Sequence, residues 1–365
     1  MKQLLIVMLL MMTLNAPAAD SLDVGQPRKE GWLKRVIASF SDQDTLYVEP
    51  QHYNWAFMLQ SISTFDYYRL STTGSKGQSI SFAPRWDTRM GPYFGWRWIF
   101  LGYTVDLRNL NIFNKTPKFE LDASIYSARF GADIFYRRTV NNYNIRNVDM
   151  GPSINTDALK GESFDGLKVS ITGLNLYYIF NYKHFSYPAA FAQSSCQKIS
   201  CGSWMAGFGY LNNSIDFDFD QLESLAKERL GPQVQLDSSF NFNSIKYRNI
   251  SLSAGYAYNW VFAKNWLLSS SLSMALAYKM SYSENENENA KAFNFGNFNL
   301  DGVVRLGLVW NNTRWYAGTS AIVRAYNYRK SRFAANNIFG DLNIYVGFNF
   351  GPRGPYKKKH NKRKL

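Results

Sequence analysis

The chain has no run of about 18 apolar residues in its 365 positions, and its mean hydropathy is −0.31. A membrane-crossing helix needs about 20 such residues, so helical spans are excluded, while spans built from strands escape that test. Cysteine is nearly absent, with only Cys196 and Cys201. Two cysteines exclude a disulfide-dense scaffold and leave at most one local bridge. Histidine is equally scarce. His52 and His360 have no partner in sequence, which leaves a metal site unsupported and implies no cofactor. No Pro/Ser-rich linker or repeat divides the chain, so a single large domain is expected. Acidic residues are the minority, 27 against 41 Lys and Arg, for a net charge of +14. That excess does not mark a nucleic-acid binder, because seven of the bases lie in the last thirteen residues: Arg353, Lys357, Lys358, Lys359, Lys362, Arg363 and Lys364. Such a tail meets any polyanion at hand, or none.

What the chain does have is aromatic residues, 17% of the total, and long alternation. From Ile250 one parity reads Ile250, Leu252, Ala254, Tyr256, Tyr258, Trp260 and Phe262; the other reads Ser251, Ser253, Gly255, Ala257 and Asn259. After Ala263-Lys264-Asn265 the pattern resumes with Trp266, Leu268, Leu272, Met274, Leu276, Tyr278 and Met280 against Ser269, Ser271, Ser273, Ala275, Ala277 and Lys279. Successive side chains of a strand point to opposite faces, so this is a hairpin with one greasy and one small, polar face. A soluble sandwich also alternates, but its strands are usually about 5–6 residues long and its wet face carries Lys, Glu and Thr. These arms have the length to cross a tilted membrane path. Trp260 and Trp266 flank the turn where a membrane–water interface would hold them, and Trp310 and Trp315 flank Asn311-Asn312-Thr313 in a second hairpin.

Met1 to Ala19 reads as a secretory signal: Lys2, then Leu4 to Leu14, then Ala16-Pro17-Ala18 before cleavage. Residues 20–52 read as a periplasmic lead-in with a short helix around Trp32, Val36 and Phe40, residues 53–350 as the barrel, and 351–365 as a basic periplasmic tail that would meet a polyanion or a protein. First strands are expected at Tyr53 to Thr72 and Gln78 to Arg85, and a parity switch near Ile99 suggests a bulge. Residues 139–166 carry no periodicity and are expected to be a long loop. Asp220 to Leu230 is expected to be a loop helix capped by Asp220 with Glu223 and stopped by Gly231-Pro232. The count reaches eleven strands. A closed antiparallel barrel with both termini on one side needs an even number, so the expectation is an all-β, antiparallel transmembrane β-barrel of about twelve strands. Loops 139–166, 214–245, 283–291 and 328–337 would lie outside the cell.

At GPYFGWRWIFLGYTVDL and FSYPAAFAQSSCQK the chain resembles the domain-of-unknown-function 4421 family, exported proteins common in Bacteroidota, over about Asp44 to Phe350. The resemblance implies a barrel-like outer-membrane architecture and no reaction.

Charges on the polar parity are Arg97, Asp106, Glu120, Asp122, Arg129, Asp133, Arg137, Asp301, Arg305 and Asp341. Both signs occur, which favours a paired, mostly occluded bore over an open channel, because burying any one alone is costly. Cys196 and Cys201 are expected to form a local disulfide in an oxidising periplasm; two free thiols are the alternative. His184 and Ser186 would share a face on one strand, and such a pair could activate the hydroxyl as a nucleophile in a lipid-modifying hydrolase. The expected role is non-enzymatic, as envelope structure or a narrow small-solute pore, with outer-membrane lipid around it. The hydrolase and a soluble ligand-binding barrel remain as alternatives, and the oligomeric state is open.

Overall fold

Alternation carried over 17 to 20 residues, as in Ser244–Ala263 and Trp266–Tyr282, leaves the backbone no choice but a ladder whose two faces differ. The computed structural model describes residues 43–72, 77–84, 87–96, 99–102, 105–106, 118–140, 142–282, 297–330, 333–354 and Tyr356. The signal segment, the lead-in as far as residue 42, Arg97, the side chains at the parity switch near Ile99, the loop 283–291 and the tail from residue 357 lie outside the described positions.

The strands in chain order are β1 (Val48–Pro50), β2 (Tyr53–Thr72), β3 (Ser79–Pro84), β4 (Asp87–Trp96), β5 (Ile99–Gly102), β6 (Val105–Asp106), β7 (Lys118–Tyr126), β8 (Phe130–Val140) and β9 (Tyr143–Asp149). They continue with β10 (Ser163–Phe164), β11 (Leu167–Ile179), β12 (Ser195–Gln197), β13 (Cys201–Phe217), β14 (Ser244–Ala263), β15 (Trp266–Tyr282), β16 (Phe298–Asn311), β17 (Trp315–Lys330) and β18 (Phe333–Pro352). Two helices, α1 (Tyr187–Phe191) and α2 (Phe219–Leu230), interrupt them.

Sixteen strands form one antiparallel sheet in the order β10-β9-β3-β2-β18-β17-β16-β15-β14-β13-β11-β8-β7, with β4 also on β2 and with β5 and β6 on β4. Only residues 141 and 142 separate Val140 of β8 from Tyr143 of β9, so the strands next to the two ends of this ladder follow one another directly in the chain. The strand β2 is where the ladder branches. Its first half, Trp55 to Thr64, pairs with β4, and Tyr68 to Ser71 pair with β3, which in turn pairs with β9. Sixteen segments thus appear where the sequence pattern gives twelve strands, because the wall between β2 and β8 is broken into short pieces.

The alternation resolves into an outside and an inside. On β14, Ile250, Leu252, Tyr256, Tyr258 and Trp260 are exposed while Tyr247, Asn249, Ser251, Ala257 and Asn259 are buried. On β18, Ile338, Leu342, Ile344 and Val346 face out and Phe339, Asp341, Tyr345 and Asn349 face in. A continuous exposed apolar wall of this kind is what lipid, not water, would cover. Trp260, Trp266 and Trp315 are exposed and Trp310 half-buried at one end of it, with Trp266 and Trp310 register partners.

That end carries the tight turns and both ends of the barrel chain: Arg353 N–H donates to the His52 carbonyl, and Asn349 N–H to that of Arg314. The other end carries the long connections. Residues 139–166 are not a plain loop there, because Tyr143, Ile145 and Val148 of β9 bury themselves and β10 pairs back on β9. Together with Phe82, Phe164, Phe217, Leu222 and Phe240 they form a large apolar core that fills this end. The helix α2 is capped two residues earlier in sequence than the capping-box reading places it: the Asp218 carboxylate accepts from Gln221 N–H at 2.9 Å, and Gly231, with φ +104°, ends the helix.

Candidate functional site in the bore

Among the described residues eight charged side chains are fully buried, and they divide evenly: Arg137, Lys279, Arg305 and Arg324 against Asp66, Asp133, Asp301 and Asp341. Every carboxylate has a cation. Arg137 lies 3.5 Å from Asp66 and 3.8 Å from Asp341, and Arg324 lies 3.5 Å from Asp341. Arg305 bonds Asp133 directly. Lys279 bonds Asp301 at 3.2 Å, and the same carboxylate accepts from Asn249 Nδ2 at 3.1 Å and Asn327 N–H at 3.0 Å. Aromatic faces line the guanidinium groups, with Phe339 4.8 Å from Arg137, Phe135 5.1 Å from Arg324 and Tyr177 5.3 Å from Arg305. Desolvating a charge costs several kcal/mol, and pairing with such contacts offsets that cost. Among the fully buried described residues, cations and carboxylates are therefore equal in number and paired.

The second component is the stretch between β11 and β13, which breaks the strand rhythm in sequence. Pro188 near the N-terminus of α1 favours a helical turn, and Tyr187, Ala189 and Ala190 are buried against β15 and β16. Tyr187 OH shares a hydrogen bond with Ser271 Oγ at 2.8 Å and accepts from Arg305 Nη1 at 3.3 Å, which ties the segment to the charged layer. Without a ladder of its own, its backbone is satisfied by carboxamides. Asn259 Nδ2 donates to the Ser186 carbonyl at 2.8 Å, Gln197 Nε2 to those of His184 and Ile199, and Gln193 Nε2 to that of Ala190 at 3.2 Å; Gln193 Nε2 also reaches Tyr345 OH at 2.5 Å. The strand β12 then pairs with β1, matching Val48 to Gln197 and Pro50 to Ser195. The segment therefore sits inside the turn end like a stopper. A cavity of about 250 Å³ remains between it and β2, β17 and β18, with Gln60, Arg324 and Asp341 among its walls. A second cavity, of about 1000 Å³, opens at the mouth.

Several expectations change on this geometry. His184 and Ser186 share no strand face, because residues 180–186 are a turn leading into α1. Ser186 is fully buried and its hydroxyl bonds Ser195 Oγ at 2.7 Å, whereas half-exposed His184 turns to Asn181 Oδ1 at 3.1 Å and Asp44 at 3.7 Å. The expected disulfide is likewise replaced by two free thiols. Cys196 stands opposite Glu49 in the β1–β12 ladder with its thiol toward the Asn311 carbonyl, while Cys201 begins β13 beside Asn181. Burial pushes the Cys196 thiol up to about 12. Arg129 belongs to the turn between β7 and β8 and stacks on Tyr182, whose hydroxyl accepts from it at 2.8 Å. Glu120 and Asp122 sit opposite Arg137 and Phe135 in the β7–β8 register, and Asp106 opposite Arg89 in β6–β4.

Asp66, Lys279, Arg324 and Tyr187 complete the site. Lys279 has the same parity as Ser271 and Ser273, and Asp66 that of Thr64, so strict alternation points to both. Tyr187 carries no periodic signal. Among the described residues no group of three His, Cys, Asp or Glu side chains is placed to hold a metal.

No curated protein matches this sequence. Solved structures that resemble it are the outer-membrane protease OmpT of Escherichia coli, at 7% identity, covering 81% of this chain and 97% of that one with a TM-score of 0.37. The translocator domain of the autotransporter NalP from Neisseria meningitidis is 10% identical over 87% of this chain and 92% of that one, with a TM-score of 0.28. The toluene transporter TodX of P. putida is 9% identical over 82% and 91%, with a TM-score of 0.20. A family model matches residues 42–350, from before β1 to two residues short of the end of β18, and the chain belongs to that family, the domain of unknown function DUF4421.

Proposed function

We propose that the protein is a non-conducting outer-membrane barrel that serves the envelope as a structural element, with lipid around its apolar wall. The observation that carries this reading is the paired charge layer: among the described residues four buried cations are matched by four buried carboxylates, held under the α1 segment at one end and an apolar core at the other. A solute path needs unpaired groups or water along its length. Short turns face the periplasm and long loops the outside in such barrels, which supports a periplasmic position for the α1 segment, β1 and the turns at Lys264 and Arg314.

The experiment is membrane fractionation with heat-modifiable gel mobility, followed by planar-bilayer recording. Recovery with the outer membrane, a faster unheated band and a silent bilayer are expected. Steady single-channel steps from the wild-type protein would show the bore open and overturn the proposal.

A further inference from the structure

The cavity of about 1000 Å³ at the mouth takes no part in the paired charge layer, and its chemistry differs. It lies between the β1–β12 ladder and the turns joining β14 to β15 and β16 to β17. Leu267 and Val309 form an apolar floor, whereas Asn265, Asn311, Asn312 and Asn349 present carboxamides. Three cations line it, Lys198, Lys264 and Arg314, against one carboxylate, Glu49, which His52 Nε2 holds at 3.0 Å. The side chains of Lys264 and Arg314 are exposed and make no ion pair with any described residue. Asn311 adds an independent sign. It is 5% exposed, its Oδ1 accepts from Thr313 N–H at 2.8 Å, and its buried Nδ2 has no partner in the protein. A buried donor without a partner costs about 1–3 kcal/mol, so a group that arrives with an acceptor gains at this spot. Past Tyr356, which also lines the cavity, the sequence continues into six Lys and Arg within nine residues.

Unpaired cations at the rim select an anion. Carboxamides and a buried amide donor inside select a ligand rich in hydroxyl and amide groups. The volume is at the upper end of ligand pockets, room for a saccharide with a short peptide. We infer that the cavity binds a carboxylate-bearing glycopeptide of the cell-wall type. The inference rests on the periplasmic placement proposed above.

The test uses the full-length protein in detergent and reduced disaccharide–tetrapeptides released from cell wall by a muramidase, titrated in a calorimeter. Binding that weakens with added salt is expected. The Lys264→Gln/Arg314→Gln variant should bind about tenfold more weakly or worse, the scale of two charge-assisted contacts near a surface. Both positions are exposed turn residues, and heat-modifiable mobility confirms that the variant folds. A wild-type protein that ignores the muropeptides, a variant that binds them equally well, or equal binding of a neutral chito-oligosaccharide each overturns the inference. Bilayer silence is read separately. A silent barrel without muropeptide binding defeats this inference alone, and a conducting barrel that binds them defeats only the structural reading above.

Discussion

Arg305 and Asp133 clasp each other across the bore, although β15, β14, β13 and β11 stand between their strands in the wall. The contact couples two distant staves, and Ser124 Oγ and Tyr187 OH extend it on either side. Arg305→Met would leave the Asp133 carboxylate buried without its cation, which costs about 3–5 kcal/mol. Asp133→Leu should cost a similar amount, while the two changes together should recover most of the loss. The temperature at which the folded gel band converts to the unfolded one reads this directly. Single variants that convert with the wild type would mean the pair contributes no stability.

The bore was legible in sequence to the extent that one rule governs it. Period-two alternation identifies Asp133, Arg137, Asp301, Arg305 and Asp341 as inward because each lies on a long, regular strand. The rule fails where strands are short, as in β3, β5 and β6, and where a side chain faces inward from no strand at all. Tyr187 is such a case: its burial depends on contacts with Ser271 and Arg305, far away in sequence. Cys196 and Cys201 misled for the same reason. Closeness in sequence says nothing once a ladder with β1 has claimed one of them. β9 was missed because its core partners, Phe82 and Phe164, come from separate connections.

Removing the stopper tests how the turn end is closed. Replacing residues 186–194 with a short Gly-Ser linker deletes α1 and its bonds to Ser271 and Tyr345 while leaving every wall strand intact. Conductance steps should then appear in bilayers where the wild type is silent. A variant that keeps its heat-modifiable mobility and stays silent would place the seal elsewhere, in the apolar core of the loop end.

Cys196 offers a chemical probe of the same region. With its thiol pushed up to about 12, the reactive thiolate is roughly one part in ten thousand at pH 8, against about a quarter for an ordinary thiol. In a Cys201→Ser background, maleimide should label Cys196 at least a hundredfold more slowly than free cysteine. The rate should climb about tenfold per pH unit, since a raised pKa means that the thiolate keeps growing with pH past the ordinary range. Denatured protein should label at once. Fast, pH-flat labelling of the folded form would contradict a buried thiol.

The outer wall makes the sharpest demand on the membrane itself. Leu272, exposed and about halfway along β15, stands between Tyr256 and Val304 on the neighbouring strands, whereas Trp266 begins the strand at the aromatic rim. A cation at the middle of a lipid-facing wall costs about 2–4 kcal/mol, and near the interface about 0–1 kcal/mol. Leu272→Arg should therefore cut the folded fraction in a urea titration with lipid vesicles, and Trp266→Arg should shift it far less. Water-facing residues would show no such gradient, because an arginine on a wet surface costs little at either depth. Equal effects at the two positions would remove lipid from around this wall and leave the apolar face to be covered by protein.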